Sequence, residues 1–392
     1  MTTIPTSPPA TSSPLTLAAG GLIAMAAALG IGRFVYTPIL PLMVEGLNLT
    51  QGQAGLIASA NFAGYLVGAL LAAAPSIPGS RRGWLLGSLA ASAATTALMG
   101  AAGSVVAFCV IRFVGGVASA FVLVMVSALV LDRLAAVGRT DLAAMNFAGV
   151  GVGIAVSSLL MLALSGVGSD WRTAWFAAGI LSFAALGGSA LLIPGGGEPK
   201  STQAAATANG SSRGFILMAM SYGLFGFGYV ITATFIVALV RMSEATRPLE
   251  PYVWLLVGLA GAPSIAFWSA LARRTGVFTA YATACLVEAL GVAASVLWLN
   301  IAGVVLAAIC LGGTIMGITA LGLQGARTLT TSDPRRAFAL MTAAFGAGQI
   351  IGPSFAGWMH DLTGDFVSPS LAAAAALLVA AGLGLMAKPS SA

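Results

Sequence analysis

The stretch LGIGRFVYTPILPLM, residues 29–43, places one arginine in a run that is otherwise uncharged. A second stretch of the chain repeats its pattern. The second copy, FGFGYVITATFIVAL, spans residues 225–239 at a shift of 196 residues, with the Gly-x-Gly pair in register. Arg33 in the first copy corresponds to Tyr229 in the second. A repeat at this distance predicts two equivalent halves, with the cation present in only one of them.

The composition excludes a soluble protein. Of the 392 residues, 58% are hydrophobic and only 7% are charged, whereas a soluble domain is about 25% charged. About 20 apolar residues are needed for one membrane-spanning helix, so the chain has room for twelve spans. We predict an all-α membrane protein with spans near 17–43, 50–74, 83–101, 104–130, 141–165, 171–194, 214–240, 251–272, 277–298, 301–325, 337–359 and 366–387.

One long polar segment divides these spans six and six. It reads GGGEPKSTQAAATANGSSRG (195–214), and its Gly, Ser, Ala and Thr content is typical of a flexible linker. The predicted units are a disordered cytoplasmic tail 1–14, an N-terminal six-helix bundle 15–194, a cytoplasmic linker 195–213, a C-terminal six-helix bundle 214–388 and a tail 389–392.

The distribution of Lys and Arg predicts the orientation. Of the 17 basic residues, twelve lie in one set of alternate loops and tails and three in the other; the remaining two, Arg33 and Arg112, lie inside spans. By the positive-inside rule both termini are cytoplasmic, which predicts a multi-pass protein of the cell inner (plasma) membrane. The basic residues then set topology, and we expect no nucleic-acid partner.

These strings resemble the major facilitator superfamily over nearly the whole chain. GIGRFVYTPILP (30–41), YGLFGFGYVITATFIVAL (222–239) and GAGQIIGP (346–353) are similar to its YbfB/YjiJ-type branch. The resemblance implies two six-helix bundles related by a pseudo-twofold axis, with spans 1, 4, 7 and 10 around a central cavity. In the loop APSIPGSRRG (74–83), Arg81 and Arg82 match the superfamily's gating motif, but its usual aspartate is missing.

The candidate substrate site follows from polar residues inside these spans. An arginine near the middle of a span is costly in lipid, so its side chain is expected to face the protein interior, where its planar donors suit an oxyanion. The resemblance directs Arg112 to the same cavity. The alternative for both arginines is a polar network or gate latch. The predicted substrate-binding residues are Arg33, Tyr36, Thr37, Asn61, Tyr65, Arg112, Asn146, Tyr229, Thr232 and Gln349.

One acid, Glu288, lies in the middle of a span, in ACLVEALGV. A carboxyl group in a medium of low dielectric constant can load and release a proton near neutral pH, which makes Glu288 the candidate for proton coupling. Because span 9 is a peripheral helix in the resembled fold, the alternative is a purely structural residue. We expect no cofactor and no metal site.

The leading hypothesis is a secondary active transporter that moves a small organic anion by alternating access. Two cations without an in-span counterion in the same half favour an anionic substrate, coupled to protons by symport or exchanged for another anion by antiport. The first alternative is a proton-coupled exporter of drugs or lipophilic compounds, and the second is a non-transporting sensor. The expected partners are the substrate, protons or a counter-anion, and membrane lipid. We expect a monomer, and no enzyme, because the chain has no nucleotide loop or catalytic triad.

Overall fold

A computed structural model describes residues 13–74, 77–195, 212–330 and 334–389. In these ranges the chain forms membrane-length helices, one of which is a pair bent by 44°. With this pair taken as one span, the predicted twelve spans are confirmed. They are α1 Pro14–Leu47, α2 Gln51–Ala72, α3 Arg81–Ala101, α4 Val105–Ala136, α5 Thr140–Ser165, α6 Trp171–Leu192, α7 Ser212–Met242, α8 Arg247–Gly261 plus Ser264–Thr275, α9 Val277–Leu297, α10 Ile301–Leu329, α11 Pro334–Thr363 and α12 Val367–Met386.

Polar capping residues set where several spans begin. At the start of α2, the Thr50 side chain accepts from the Gln53 N–H, and the Gln53 side chain accepts from the Thr50 N–H in return. Such side chains satisfy N–H groups that the first turn of a helix leaves free. Five other spans begin at a capping residue of this kind, namely Ser13, Ser80, Ser104, Asp170 and Asn300.

Helix α1 is interrupted in its middle. A π-helical turn, Ala26–Ile31, precedes four irregular residues, and the α-helix resumes at Tyr36. Pro38 has no N–H, and the N–H of Thr37 donates to the Phe34 carbonyl at 3.3 Å, three residues back. The Arg33 carbonyl, which the Thr37 N–H would reach in a regular α-helix, is therefore available to another donor.

The twelve spans pack as two bundles with the same internal arrangement. In the first bundle α1 packs on α5 and α6, α2 on α4, and α3 on α4 and α6. In the second, α7 packs on α11 and α12, α8 on α10, and α9 on α10 and α12. Adding six to each helix number converts one set into the other, so the pseudo-twofold relation predicted from the repeat is confirmed.

We call the face at which odd-numbered helices begin the proximal face, and the opposite face the distal face. The bundles meet along α2 with α11, α5 with α8, and α1 with α7. On the distal side of these contacts, Ser59 Oγ donates to the Ile350 carbonyl at 2.6 Å, and Ser158 Oγ donates to the Pro251 carbonyl at 3.4 Å. The bundles are therefore closed against each other at the distal face.

The predicted tail 1–14 and linker 195–213 lie almost entirely outside the described residues, as do the last three residues of the chain. The described neighbours place the start of α1 at Pro14, one residue inside the predicted tail, and the start of α7 at Ser212, within the predicted linker. The boundaries 15–194 and 214–388 stay predictions.

Candidate functional site

A single hydrogen bond joins repeat-equivalent residues of the two bundles. Thr37 Oγ1 on α1 donates to the Ala233 carbonyl on α7 at 2.7 Å, and these positions differ by the repeat shift of 196. Arg33 and Tyr229 each lie four residues earlier, about 6 Å closer to the proximal face. The charge of Arg33 acts on the Tyr229 hydroxyl. The two residues singled out by the repeat therefore lie within electrostatic range of each other near the pseudo-twofold axis.

Arg33 is buried, and no carboxylate of the described residues pairs with it. Its side chain is 5% exposed, and Nε and Nη2 have no hydrogen-bond partner among the described residues. Its guanidinium carbon lies 4.0 Å from the centroid of the Tyr65 ring and 4.8 Å from that of Phe62. Contact with aromatic faces stabilises a desolvated cation by about 2 kcal/mol, whereas removing the charge from water costs several kcal/mol of free energy. The site therefore holds a positive charge that the protein does not neutralise.

Arg112 is also buried, but two of its three nitrogens donate hydrogen bonds. Nη1 donates to the Gly32 carbonyl and Nη2 to the Arg33 carbonyl, each at 2.9 Å. Both carbonyls belong to the irregular turn of α1, so the guanidinium of α4 replaces bonds that the broken helix lacks. Nε has no partner among the described residues. Arg112 thus fixes the backbone that carries Arg33.

The second bundle presents hydroxyl and amide groups opposite Arg33. Gln349 Nε2 on α11 donates to the Tyr229 hydroxyl. Gln349 Oε1 and Thr232 Oγ1 are buried and have no hydrogen-bond partner within the described ranges. These predicted residues therefore come together and leave two polar atoms unsatisfied, both of which accept hydrogen bonds.

A stack of aromatic rings surrounds these groups. The Tyr229 ring lies 5.1 Å from Phe225 and 5.8 Å from Phe345, at interplanar angles of 27° and 8°. Tyr222 packs on Phe345 with ring centroids 4.7 Å apart. Phe345 was not among the binding residues predicted from the sequence. Its position four residues before Gln349, on the same helical face, is a signal that would have identified it.

Three predicted binding residues have other contacts. The Tyr36 hydroxyl donates to the Ala54 carbonyl at 2.8 Å, and Asn61 Nδ2 donates to the Arg112 carbonyl at 2.9 Å. Asn146 is fully buried, and its amide has no hydrogen-bond partner in the described part of the chain. It packs against Gly21 of α1, twelve residues and about 18 Å of helix from Arg33. The structure does not bring Asn146 to the other residues.

Glu288 is fully buried in α9, facing α10 and the interior of the second bundle. Its carboxyl oxygens have no hydrogen-bond partner by distance and angle among the described residues. It lies beside Thr314, whose hydroxyl donates to the Cys310 carbonyl at 2.6 Å. When ionised, Glu288 acts electrostatically on Tyr229. Glu288 is thus a buried carboxyl group within electrostatic range of Tyr229, without a contact to it that would connect the two directly.

The predicted gating arginines lie at the proximal end of the first bundle. Arg82 donates to the Ile193 and Ala190 carbonyls of its own bundle at 2.8 and 2.7 Å. Arg81 lies close enough to Asp132 of α4 to interact electrostatically. Asp132 thus supplies a carboxylate near the loop whose usual aspartate is missing. The gating role of both arginines stays a prediction.

The distal contacts contain charged residues that were not predicted from the sequence. Asp361, at the end of α11, accepts hydrogen bonds from the N–H groups of Gln51 and Gly52 at 3.0 and 2.9 Å. It therefore caps the N-terminus of α2 in the opposite bundle. Arg241 of α7 pairs with Glu45 of α1 at 3.1 Å. The pairing of these residues depends on three-dimensional contacts and leaves no sequence motif.

Comparison with known proteins agrees with this architecture. The family described as uncharacterised MFS-type transporter YbfB matches residues 25–385. A curated protein of Bacillus subtilis (strain 168), the uncharacterized MFS-type transporter YceJ, is 34% identical over 94 residues, which is 24% of this chain and 24% of that protein. The pairwise match therefore spans about a quarter of the relative's length.

Solved transporter structures show the same fold. The nucleoside transporter NupG superposes with a TM-score of 0.69 at 16% identity, covering 95% of this chain and 98% of NupG. A bacterial homologue of the human lysosomal transporter Spinster, inward-facing and occupied, gives a TM-score of 0.68 at 14% identity, covering 95% of this chain and 96% of the homologue. With a family match over residues 25–385, this chain belongs to the YbfB-type family of major facilitator superfamily transporters and is not an enzyme.

Proposed function

We propose that this protein is a secondary active transporter of a small organic anion. The observation that carries the proposal is the buried guanidinium of Arg33, whose Nε and Nη2 have no partner among the described residues. An anion between the bundles supplies the missing counter-charge, and its carboxylate matches the planar fork of the two donors. A cationic substrate would be repelled at the same position.

The contacts between the bundles support transport by alternating access. Arg33 and Tyr229 lie proximal to the Thr37–Ala233 bond, and the bundles are closed on the distal side of that bond. If the proximal face is cytoplasmic, as the positive-inside rule predicts, this conformation is closed toward the outside of the inner membrane. Arg81 and Arg82 then take part in closing the proximal face in the outward-facing state.

Coupling is proposed to involve Glu288. A carboxyl group buried without a cation favours its neutral, proton-carrying form. Glu288 lies in the same bundle as Tyr229 and within electrostatic range of it. Loss of the proton therefore raises the negative charge near the site and disfavours the bound anion, which is the sign required for proton–anion symport. Anion exchange, without a proton, is the other way to balance charge.

The substrate-class test uses purified protein with two variants, Arg33→Gln and Arg33→Lys. Thermal stability is measured with a panel of small carboxylates, sulfonates and cationic dyes. We expect carboxylates to raise the melting temperature of the wild type, Arg33→Gln to lose the response, and Arg33→Lys to keep part of it, because a lysine retains the charge without the fork. A response to cationic dyes alone, equal in wild type and Arg33→Gln, contradicts the proposal and favours the drug-exporter alternative.

The coupling test uses proteoliposomes with Glu288→Gln, which resembles the protonated carboxyl in shape. We expect this variant to bind the anion and exchange it across the membrane, but to lose accumulation driven by a proton gradient. The conservative Thr314→Val change beside it serves as a control for disturbed packing. Undiminished proton-driven uptake by Glu288→Gln would exclude Glu288 as the proton carrier.

A further inference from the structure

The residues that surround Arg33 carry information about the rest of the substrate. This inference rests on the proposed function, since it concerns the ligand of the same site. We infer that the transported anion is an aromatic monocarboxylate that carries a hydrogen-bond donor on or near its ring. Three independent features of the site indicate one charge, one flat apolar surface and one donor.

The charge follows from the number of free cationic donors. Arg112 donates Nη1 and Nη2 to the carbonyls of α1 and has only Nε without a partner, whereas Arg33 has two adjacent nitrogens without a hydrogen-bond partner among the described residues. These nitrogens are Nε and Nη2, two roughly parallel N–H donors that match the two oxygens of one carboxylate. A second carboxylate on the ligand would have no comparable partner among the described residues of the site. Its desolvation would therefore weaken binding.

The flat surface follows from the rings on both sides of the bundle contact. Tyr65 and Phe62 of the first bundle lie against the Arg33 guanidinium, so two aromatic rings border the anion site. In the second bundle the Phe225, Tyr229 and Phe345 rings are stacked with centroids 5.1 to 5.8 Å apart. Planar ligands gain from offset stacking on such rings beyond the apolar area that they bury.

The donor follows from the unsatisfied acceptors. Gln349 Nε2 donates one of its two hydrogens to the Tyr229 hydroxyl, and the buried Oε1 atom has no donor among the described residues. Thr232 lies on the same helix as Tyr229, and its buried Oγ1 atom has no hydrogen-bond partner within the described ranges. A buried acceptor without a donor is costly, and a hydroxyl or amino group on the ligand would satisfy it.

The test compares matched ligands on wild-type protein by isothermal titration. Benzoate and cyclohexanecarboxylate have the same charge and similar size, but only benzoate is flat. From typical stacking energies we expect benzoate to bind about 2- to 10-fold more tightly. We expect 4-hydroxybenzoate to bind more tightly than 4-methoxybenzoate, which has no donor, and phthalate, a dianion, to bind more weakly than benzoate.

Two variants assign the preference to the site. Phe345→Leu keeps apolar volume but removes one ring of the stack, and we expect it to abolish the preference for benzoate while both carboxylates still bind. Arg33→Gln is expected to abolish binding of both. If the wild type binds cyclohexanecarboxylate as tightly as benzoate, the aromatic inference is wrong although the anion proposal survives. If carboxylates fail to bind, or bind Arg33→Gln equally well, the proposed function itself fails.

Discussion

At the scale of single residues, the two arginines inside the spans have different tasks. Arg112 completes the backbone of α1, since its Nη1 and Nη2 donate to the Gly32 and Arg33 carbonyls. Arg33 contacts aromatic rings, and its buried Nε and Nη2 have no hydrogen-bond partner among the described residues. Arg112 therefore stabilises the fold. The buried charge of Arg33 destabilises it, and a bound anion would reduce that destabilisation.

This difference predicts opposite effects on stability. In ligand-free protein, Arg112→Gln leaves two buried carbonyls without their donors, and we expect a loss of about 2–5 kcal/mol in the free energy of unfolding. Arg33→Gln removes an unpaired buried charge, and we expect a change below about 1 kcal/mol or a gain. Unfolding curves of both variants in the same detergent measure these values. Equal destabilisation by the two substitutions would contradict the assignment.

At the scale of elements, close helix contacts hold the two bundles together on the distal side. A Cβ atom at Gly55 of α2 would lie 2.1 Å from the Pro353 carbonyl oxygen of α11. On the pseudo-equivalent contact, a Cβ at Gly258 of α8 would lie 2.4 Å from the Ala155 nitrogen of α5. Larger residues at these points cannot fit unless the helices separate. The distal closure therefore depends on glycine at both crossings.

Gly55→Val is accordingly expected to push the bundles apart at the distal face. Spin labels at Val167, which is 76% exposed, and at exposed Glu244 of the second bundle would report this separation, with Cys109 replaced by Ser. We expect a longer mean distance, or a larger population at long distance, in Gly55→Val. The control is Gly87→Val, whose Cβ would have no heavy atom within 4 Å. An unchanged distance distribution in Gly55→Val would show that a larger residue at this crossing does not separate the bundles.

At the scale of the whole molecule, charges of one bundle stabilise its contact with the other. Asp361 binds the free N–H groups at the start of α2, where the helix dipole favours a negative charge. The Arg241–Glu45 pair spans the same face, although Glu45 is mostly exposed and its pairing contributes little. Asp361 is therefore the stronger electrostatic element of the distal contact.

Asp361→Asn keeps the size of the side chain but removes its charge. Because a charge at a helix N-terminus is typically worth about 0.3–1 kcal/mol, we expect the ratio of distal-closed to distal-open molecules to fall about 2- to 5-fold. The same spin-label pair measures this ratio. Asp365→Asn is the matched control, since Asp365 caps Val367 of its own bundle and is expected to leave the ratio unchanged. A shift of equal size in both variants would assign the effect to general destabilisation.

Much of the architecture was predictable from the sequence, because it depends on properties of short segments. Apolar length predicts the spans, and the six-helix repeat predicts the pseudo-twofold relation that the Thr37–Ala233 bond confirms. The bend of 44° within α8 was not predicted. Part of the site was also predictable, since Arg33 and Tyr229 occupy equivalent places in the two copies. Asn146 and Phe345 show the limit, because their surroundings depend on which helices pack together.

The sequence by itself determined that this is a twelve-span protein built from a repeat. At one pair of equivalent positions the first copy has a cation, Arg33, and the second has an uncharged residue, Tyr229. Hydrophobicity and repetition are properties of the chain, so they are readable without a fold. Only the tertiary structure decided which arginine has free donors, because that depends on the break in α1 and on the reach of Arg112 from α4. It alone also decided that the bundles close at the distal face, since Asp361 and α2 are about 310 residues apart in the chain and meet only through packing.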